Sequence, residues 1–407
     1  MSGKVGDNPY RASGVVAAAG GGLSWQSVVT ASTLSAVAGN AYAINTTSNA
    51  CTVSLPAGSD GNEILFVDYA GTWDTNNVTL QANGSEKIKG DTVDGTLNGE
   101  REAVKITYID STQGWIAISA ANETAPVITQ TSYIEATGPD DAAGTTDGDY
   151  KYHKFIASKG AAEGFVVSAV GNAAGSNTVE YLVVAGGAGG GGENRAAGGG
   201  AGGMLTATGL SVSVQNYAIT VGGGGAGSTS ENAAGVNGDN SVFSTITSTG
   251  GGGGGTPNAE AADGGSGGGA TNDVPGVGEG TAGQGNDGGS GAAAPNYGTG
   301  GGGGKGAVGA NGDTTNAGNG GAGADSDITG STVGYAGGGG GGRYQSGNAG
   351  TGTDGGGDGV TTTPGTEGDG DANTGGGGGG ATSDGGVPHN GGDGGSGIVV
   401  VRYKFQN

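Results

Sequence analysis

What this 407-residue chain lacks narrows its class before any motif is considered. It has one cysteine, which excludes an intrachain disulfide framework and a cysteine-rich zinc site. Cys51 lies in "NACTVSLP", a strand-like stretch, and is expected to be a small buried residue. Cations are scarce: 14 Lys and Arg stand against 37 Asp and Glu, a formal charge of −23. That balance argues against nucleic acid and against an anionic membrane surface, both of which favour a basic partner. No run approaches the roughly 20 apolar residues of a membrane-spanning helix. The opening "MSGKVGDNPYRASGVVAAAGGG" has no apolar core long enough for a secretion signal, so export by that route is not expected. No window repeats apolar residues at the 3.6-residue spacing of a helix. Almost no α-helix is expected.

What is abundant is glycine: 104 residues against nine prolines, with no Gly-X-Y period, so collagen is excluded. Glycine loses more backbone entropy on folding than any other residue, and such a composition commonly marks a linker or tail. Here the flanks argue otherwise. "EYLVVA" (180–185) runs directly into the first glycine block, and "GIVVVRYKF" (397–405) comes directly out of the last. Both read as central strands of one sheet, with the glycine region inserted between them.

The chain divides accordingly. Residues 1–22 form a peptide and an Ala/Gly tether; "GDNPYR", with Asp7, Asn8, Pro9, Tyr10 and Arg11, suits a docking tag or an unstructured tail. Residues 23–122 read as an all-β sandwich or barrel, with strand-like runs such as "EILFVDY" and "AVKITYI" at roughly 8–12-residue spacing. It holds Trp25, Trp73 and Trp115, assigned to core or subunit packing in preference to a sugar platform. Residues 127–185, 208–248 and 397–407 form a second β frame. Residues 186–396 carry glycine blocks at about ten places, each of about 4–8 residues and roughly 12–25 Å long at the polyproline-II rise. A three-residue-per-turn helix has no internal hydrogen bonds, so its backbone groups must pair with neighbouring chains. A raft of polyglycine-II helices, packed backbone to backbone, meets that need.

Between the blocks lie segments rich in Asn, Asp, Thr, Pro and Tyr, and variable loops on a rigid scaffold commonly form binding surfaces. The longest interruption, 343–374, is the expected recognition loop. It contributes Arg343, Tyr344, Gln345, Asp354, Asp358, Asp369 and Asp371, with help from Asn296 and Tyr297 at one tip and Pro388 and His389 at another. The acids also raise calcium as an alternative, since hard oxygens at alternate positions suit it, although no EF-hand spacing is present. "GTGGGGGKGA" falls short of a phosphate loop: Thr299 replaces the first glycine, and Gly306 stands where Ser or Thr is required. With two histidines and no converging set of catalytic groups, no enzyme, metal or cofactor is expected.

"GDNPYRASGVVAAAGGG" and "YIDSTQGWIAIS" resemble the N-terminal part of tail-fibre and virion-appendage proteins of marine tailed bacteriophages. "DGDYKYHKFIAS", "VEYLVVAGGAGGGG" and "GGSGIVVVRY" are similar to their glycine-rich C-terminal module. A looser likeness is to the tip adhesins of T-even-like phages, whose polyglycine-II sandwich carries receptor-binding loops at its distal end. The resemblance implies a virion component, on tail or capsid, that binds other virion proteins and a host-surface receptor, and that forms a homotrimer. A purely structural head fibre or capsid decoration protein, and a polysaccharide depolymerase, are the alternatives.

Overall fold

Strict alternation along "EILFVD" places Ile64, Phe66 and Asp68 on one face and Glu63, Leu65 and Val67 on the other. The buried pattern follows that alternation, as a half-covered sheet requires. In the computed structural model, residues 22–118, 129–138, 143–172, 175–274, 276–344, 347–360, 368–382 and 389–406 are described. Asp7, Asn8, Pro9, Tyr10, Arg11, Gln345 and Pro388 lie outside them. The chain is almost entirely β and irregular, with one 3₁₀ turn, Ala161–Glu163, among the described residues. It forms two units, the first reaching Ser132 and including Asn172–Ala174, the second comprising the rest.

The first unit is a sandwich of two five-stranded sheets, ordered Ser24–Trp25, Asn40–Ile44, Glu63–Asp68, Ala103–Tyr108, Trp115–Ala117 and Thr129–Gln130, Gly95–Leu97, Val78–Gln81, Cys51–Ser54, Thr33–Ser35. Through its first six strands the chain alternates between the sheets, so neighbours within each sheet pair in parallel. Consecutive strands therefore face one another across the core instead of forming hairpins. Ile44, Cys51, Val53, Ile64, Phe66, Val78, Leu80, Val104 and Ile106 fill the interface, joined by the wholly buried Trp73 and Trp115. Trp25 sits on an edge strand and is exposed. Burial pushes the Cys51 thiol above its usual range.

In the second unit the closing strand Ile398–Lys404 is the centre of a five-stranded antiparallel sheet. Tyr150–Phe155 pairs on one side and Thr178–Val184 on the other, with Val183 opposite Val399. "EYLVVA" and "IVVVRY" thus share one sheet. The apolar run is continuous because the strand is buried on both faces. Val399, Val401 and Tyr403 meet Phe155, Phe165 and Phe243, while Ile398 and Val400 meet Leu182, Met204, Ala201 and Ala336. The last two belong to glycine segments, so frame and glycine region share a core.

The glycine region is ordered by main-chain hydrogen bonds with a three-residue period. From 186 to 191 the N–H groups donate in rotation to three neighbours. Gly186 and Gly189 bond Asp239 and Val236; Gly187 and Gly190 bond Gly395 and Gly392; Ala188 and Gly191 bond Gly200 and Ala197, all at 2.9–3.0 Å. The carbonyls of the same six residues accept from three other segments, 251–254, 225–228 and 378–381, at 2.8–3.1 Å. Each such segment therefore touches six neighbours, the arrangement of a hexagonal lattice. Segment 196–203 repeats it, donating to 375–381, 249–255 and 300–303. From 186 to 191 every N–H and C=O finds a partner, as buried backbone must.

Glycine is required here by contact distance. A Cβ built on Gly187, Gly198, Gly302 or Gly339 would fall inside the carbonyl oxygen of Gly376, Gly339, Gly199 or Gly378. The exclusion of side chains is not absolute. Ala188, Ala197 and Ala201 are fully buried in the lattice, so the spacing opens locally by a methyl.

Candidate functional site

The lattice segments run alternately away from the five-stranded sheet and back to it, which sorts the loops by end. The segment after Val184 leaves the sheet, turns at 192–195, and returns as 196–203 to Met204. By the same pairing, residues 229–234, 256–261, 271–274, 292–297, 313–316 and 343–344, with Val360, Thr382 and His389, all fall at the end remote from the sheet.

At that end one arginine gathers three other loops. Arg195 lies in the tight reversal 192–195, where Glu193 and Arg195 both take positive φ (65° and 43°). Its guanidinium stacks on Tyr297, 4.3 Å from the ring centroid, and lies 5.5 Å from that of Tyr344. Its Nη2 is 3.1 Å from the Asp273 carboxylate. The two tyrosines meet edge to face at 5.9 Å. The Tyr344 N–H donates to the Asn296 carbonyl at 3.2 Å, and the Glu193 N–H donates to the His389 carbonyl at 2.6 Å. Arg343 is half-buried beside Tyr344, and the His389 side chain is buried. Half-buried Tyr and Arg held by stacking lose little rotamer freedom on binding, which suits them as recognition anchors.

The structure brings together Asn296, Tyr297, Arg343, Tyr344 and His389, but separates them from the acids expected in the same loop. Residues 343–374 are not one loop. Gly350 donates to Gly341, Gly359 to Gly350, Val360 to Gly380 and Asp371 to Gly355, so most of the stretch is lattice. Asp354 lies at the sheet-side turn, its carboxylate accepting the Gly323 N–H at 2.7 Å. Asp358 accepts from Gly352 at 2.8 Å and Asp369 from Asp393 at 2.9 Å. The Asp371 carbonyl accepts the Thr374 hydroxyl at the sheet-side end. The carboxylates of Asp354, Asp358 and Asp369 thus terminate lattice edges. No group of three or more His, Cys, Asp or Glu converges among the described residues.

Arg195 and Asp273 were not singled out in sequence. The available signal was rarity: Arg195, Lys305 and Arg343 are the cations of residues 186–396. Lys305 serves the opposite end, its ammonium bonded to the Gly283 carbonyl at 2.6 Å. Burial lowers its pKa.

The chain belongs to the glycine-rich domain family, whose sequence model matches residues 165–404. Residues 2–124 match the model of the N-terminal part of bacteriophage T4 gp9/10-like proteins. A stretch of 106 residues, 25% of this chain, is 34% identical to the baseplate wedge protein gp10 of Enterobacteria phage T4, of which it covers 16%. These matches make the chain a bacteriophage structural protein of the tail or baseplate type.

Proposed function

We propose that this protein is a non-enzymatic phage fibre or adhesin. Its N-terminal part, with the tag Asp7–Arg11, attaches it to other virion proteins, and the remote loop end of its glycine module binds a host-surface receptor. The glycine segments are read as polyglycine-II helices, because three residues per turn with outward N–H and C=O groups account for the rotating bond pattern. A homotrimer is the assembly proposed, in keeping with closed cyclic symmetry.

The observation that carries the receptor reading is the set of polar reversals at the end remote from the sheet, borne on a scaffold held together chiefly by main-chain bonds. Loop side chains there change without disturbing the lattice. The same end gathers Arg195, Tyr297 and Tyr344 into one fixed cluster.

The test is adsorption of purified protein to the bacteria that the phage infects. Replacing Tyr297 and Tyr344 by alanine removes the stacked anchors but no lattice hydrogen bond. Binding should fall by about tenfold or more with the melting temperature held. Undiminished adsorption moves recognition elsewhere. No adsorption by the unaltered chain favours the structural fibre or decoration protein instead.

A further inference from the structure

We infer that the flank of the glycine lattice carries a groove for a neutral saccharide chain, built from asparagine amides. As a part of host recognition it rests on the adhesin reading; as a binding site it is testable alone. An open groove of about 450 Å³ is lined by Asn311, Asn316, Asn319 and Asn348, with Ala317 and Ala349 among its walls.

The amides in this groove are oriented by the lattice. The Asn316 Oδ1 accepts the Asn348 N–H at 3.1 Å, the Asn319 Oδ1 accepts the Thr351 N–H at 2.9 Å, and the Asn311 Oδ1 accepts the Ser290 N–H at 2.9 Å. A backbone N–H needs an oxygen opposite it, so the rotamer and the O/N assignment of each amide are settled by chemistry. Each oxygen is held by one lattice N–H, which fixes the amide, and each Nδ2 keeps its two donors for the groove. Asn316 and Asn319 are one three-residue turn apart, so their donors repeat along the groove roughly every 9 Å.

The ligand class follows from that donor set. The three committed asparagines offer donors, with methyl groups of Ala317 and Ala349 between them, and no lining residue is charged. A polyhydroxylated chain fits, because every hydroxyl accepts as readily as it donates, and the C–H faces of the sugar rings can lie on the methyls. Each amide oxygen keeps one lone pair beside its lattice bond, so a polypeptide strand is the competing occupant, and the experiment below separates the two. An anion would meet a protein of strongly negative charge.

The probe is a panel of neutral hexose and N-acetylhexosamine oligosaccharides, bound to the full chain on an array and then titrated in solution. Asn316→Asp with Asn319→Asp keeps an oxygen for each lattice N–H and deletes the amide donors. Asn348→Ala removes an exposed amide whose side chain closes no lattice bond among the described residues. The double variant should bind at least about tenfold more weakly and the single variant about threefold, with melting temperatures unchanged. Asn237→Asp with Asn240→Asp, on another lattice edge, should bind as the unaltered chain does. The groove is refuted if no oligosaccharide binds at millimolar concentration, if peptides bind in their place, or if the edge control weakens binding equally. Cell adsorption is read separately. A chain that adsorbs but binds no oligosaccharide overturns the groove alone. A chain that binds oligosaccharide through Asn316 and Asn319 but never adsorbs supports the groove and overturns the adhesin.

Discussion

Replacing Gly339 by alanine inserts one methyl where the lattice has no room. Gly339 is interior to segment 337–342; its N–H donates to Gly199 at 3.0 Å, and its carbonyl accepts from Gly302 at 2.9 Å. The new Cβ meets the Gly378 carbonyl oxygen, on the segment bonded to this one on either side through Gly377→Gly337 and Gly380→Gly340. To admit the methyl the two segments must part, stretching both bonds. Each is worth about 1 kcal/mol net, and overpacking adds about 1–3 kcal/mol. Alanine restricts the unfolded chain and returns about 0.4–1 kcal/mol. The balance is a loss of roughly 2–4 kcal/mol, which for a unit of this size lowers the melting point by roughly 5–15 °C. The control is Gly160→Ala, where a Cβ meets nothing and φ is −62°. Calorimetry of the pair decides the matter: equal melting temperatures for the two variants would show that the lattice is not closely packed at Gly339.

Removing residues 398–407 withdraws the central strand. At about 1.5–3 kcal/mol for each fully buried Val or Ile, the loss of Ile398 through Val401 approaches the whole stability of a domain. The glycine region should become protease-sensitive, and resistance equal to that of the full chain would disprove its dependence on the frame. Asp313 accepts N–H bonds from Asn316 and Thr315, which hold its carboxyl below the usual range. A lowered folded pKa stabilises the turn above about pH 4 and loses that effect as pH falls through the folded value. A carboxyl titration by NMR should show the depression, and Asp313→Asn should abolish the acid dependence of this turn. Cys51 is buried with its thiol pKa raised, so a thiol reagent should label it only after unfolding; rapid labelling of native protein would contradict the sandwich core.

The parts legible in sequence were those with a side-chain signature. "GIVVVRYKF" announces a strand buried on both faces because no polar residue interrupts it before Arg402. The first sandwich was visible as alternating strands, but its parallel pairing was not: turn residues between strands look alike whether the chain folds back as a hairpin or crosses to the other sheet. The stretch 343–374 misled for a different reason. Counting long glycine runs assumes that every lattice position needs glycine, yet a segment at the lattice edge needs it only on its inward side. In "NAGTGTD", Asn348, Thr351 and Asp354 recur every third residue, while a Cβ on Gly350 or Gly352 would strike the Gly318 or Gly356 carbonyl. That three-residue alternation, not the run length, marks a lattice edge.

The acidic composition has a structural cause beyond solubility. A finite lattice of this kind ends in segments whose outward N–H groups have no neighbouring carbonyl. Asn237 and Asn240, again one turn apart, accept from Gly253 and Gly250 at 2.9 and 2.8 Å. Asp263, Asp287 and Asp393 accept from Glu279, Gly280 and Gly227 at 2.7–2.8 Å. Carboxylates and amide oxygens serve because they are short acceptors; Lys and Arg carry donors alone and cannot take that place opposite an N–H. The same bonds occupy the N–H groups through which another chain could pair, much as natural β-sheets blunt their edge strands. A lattice held together by main-chain bonds is therefore bounded by side chains, and the boundary that limits its growth is also where Asn311, Asn316 and Asn319 turn their amides outward.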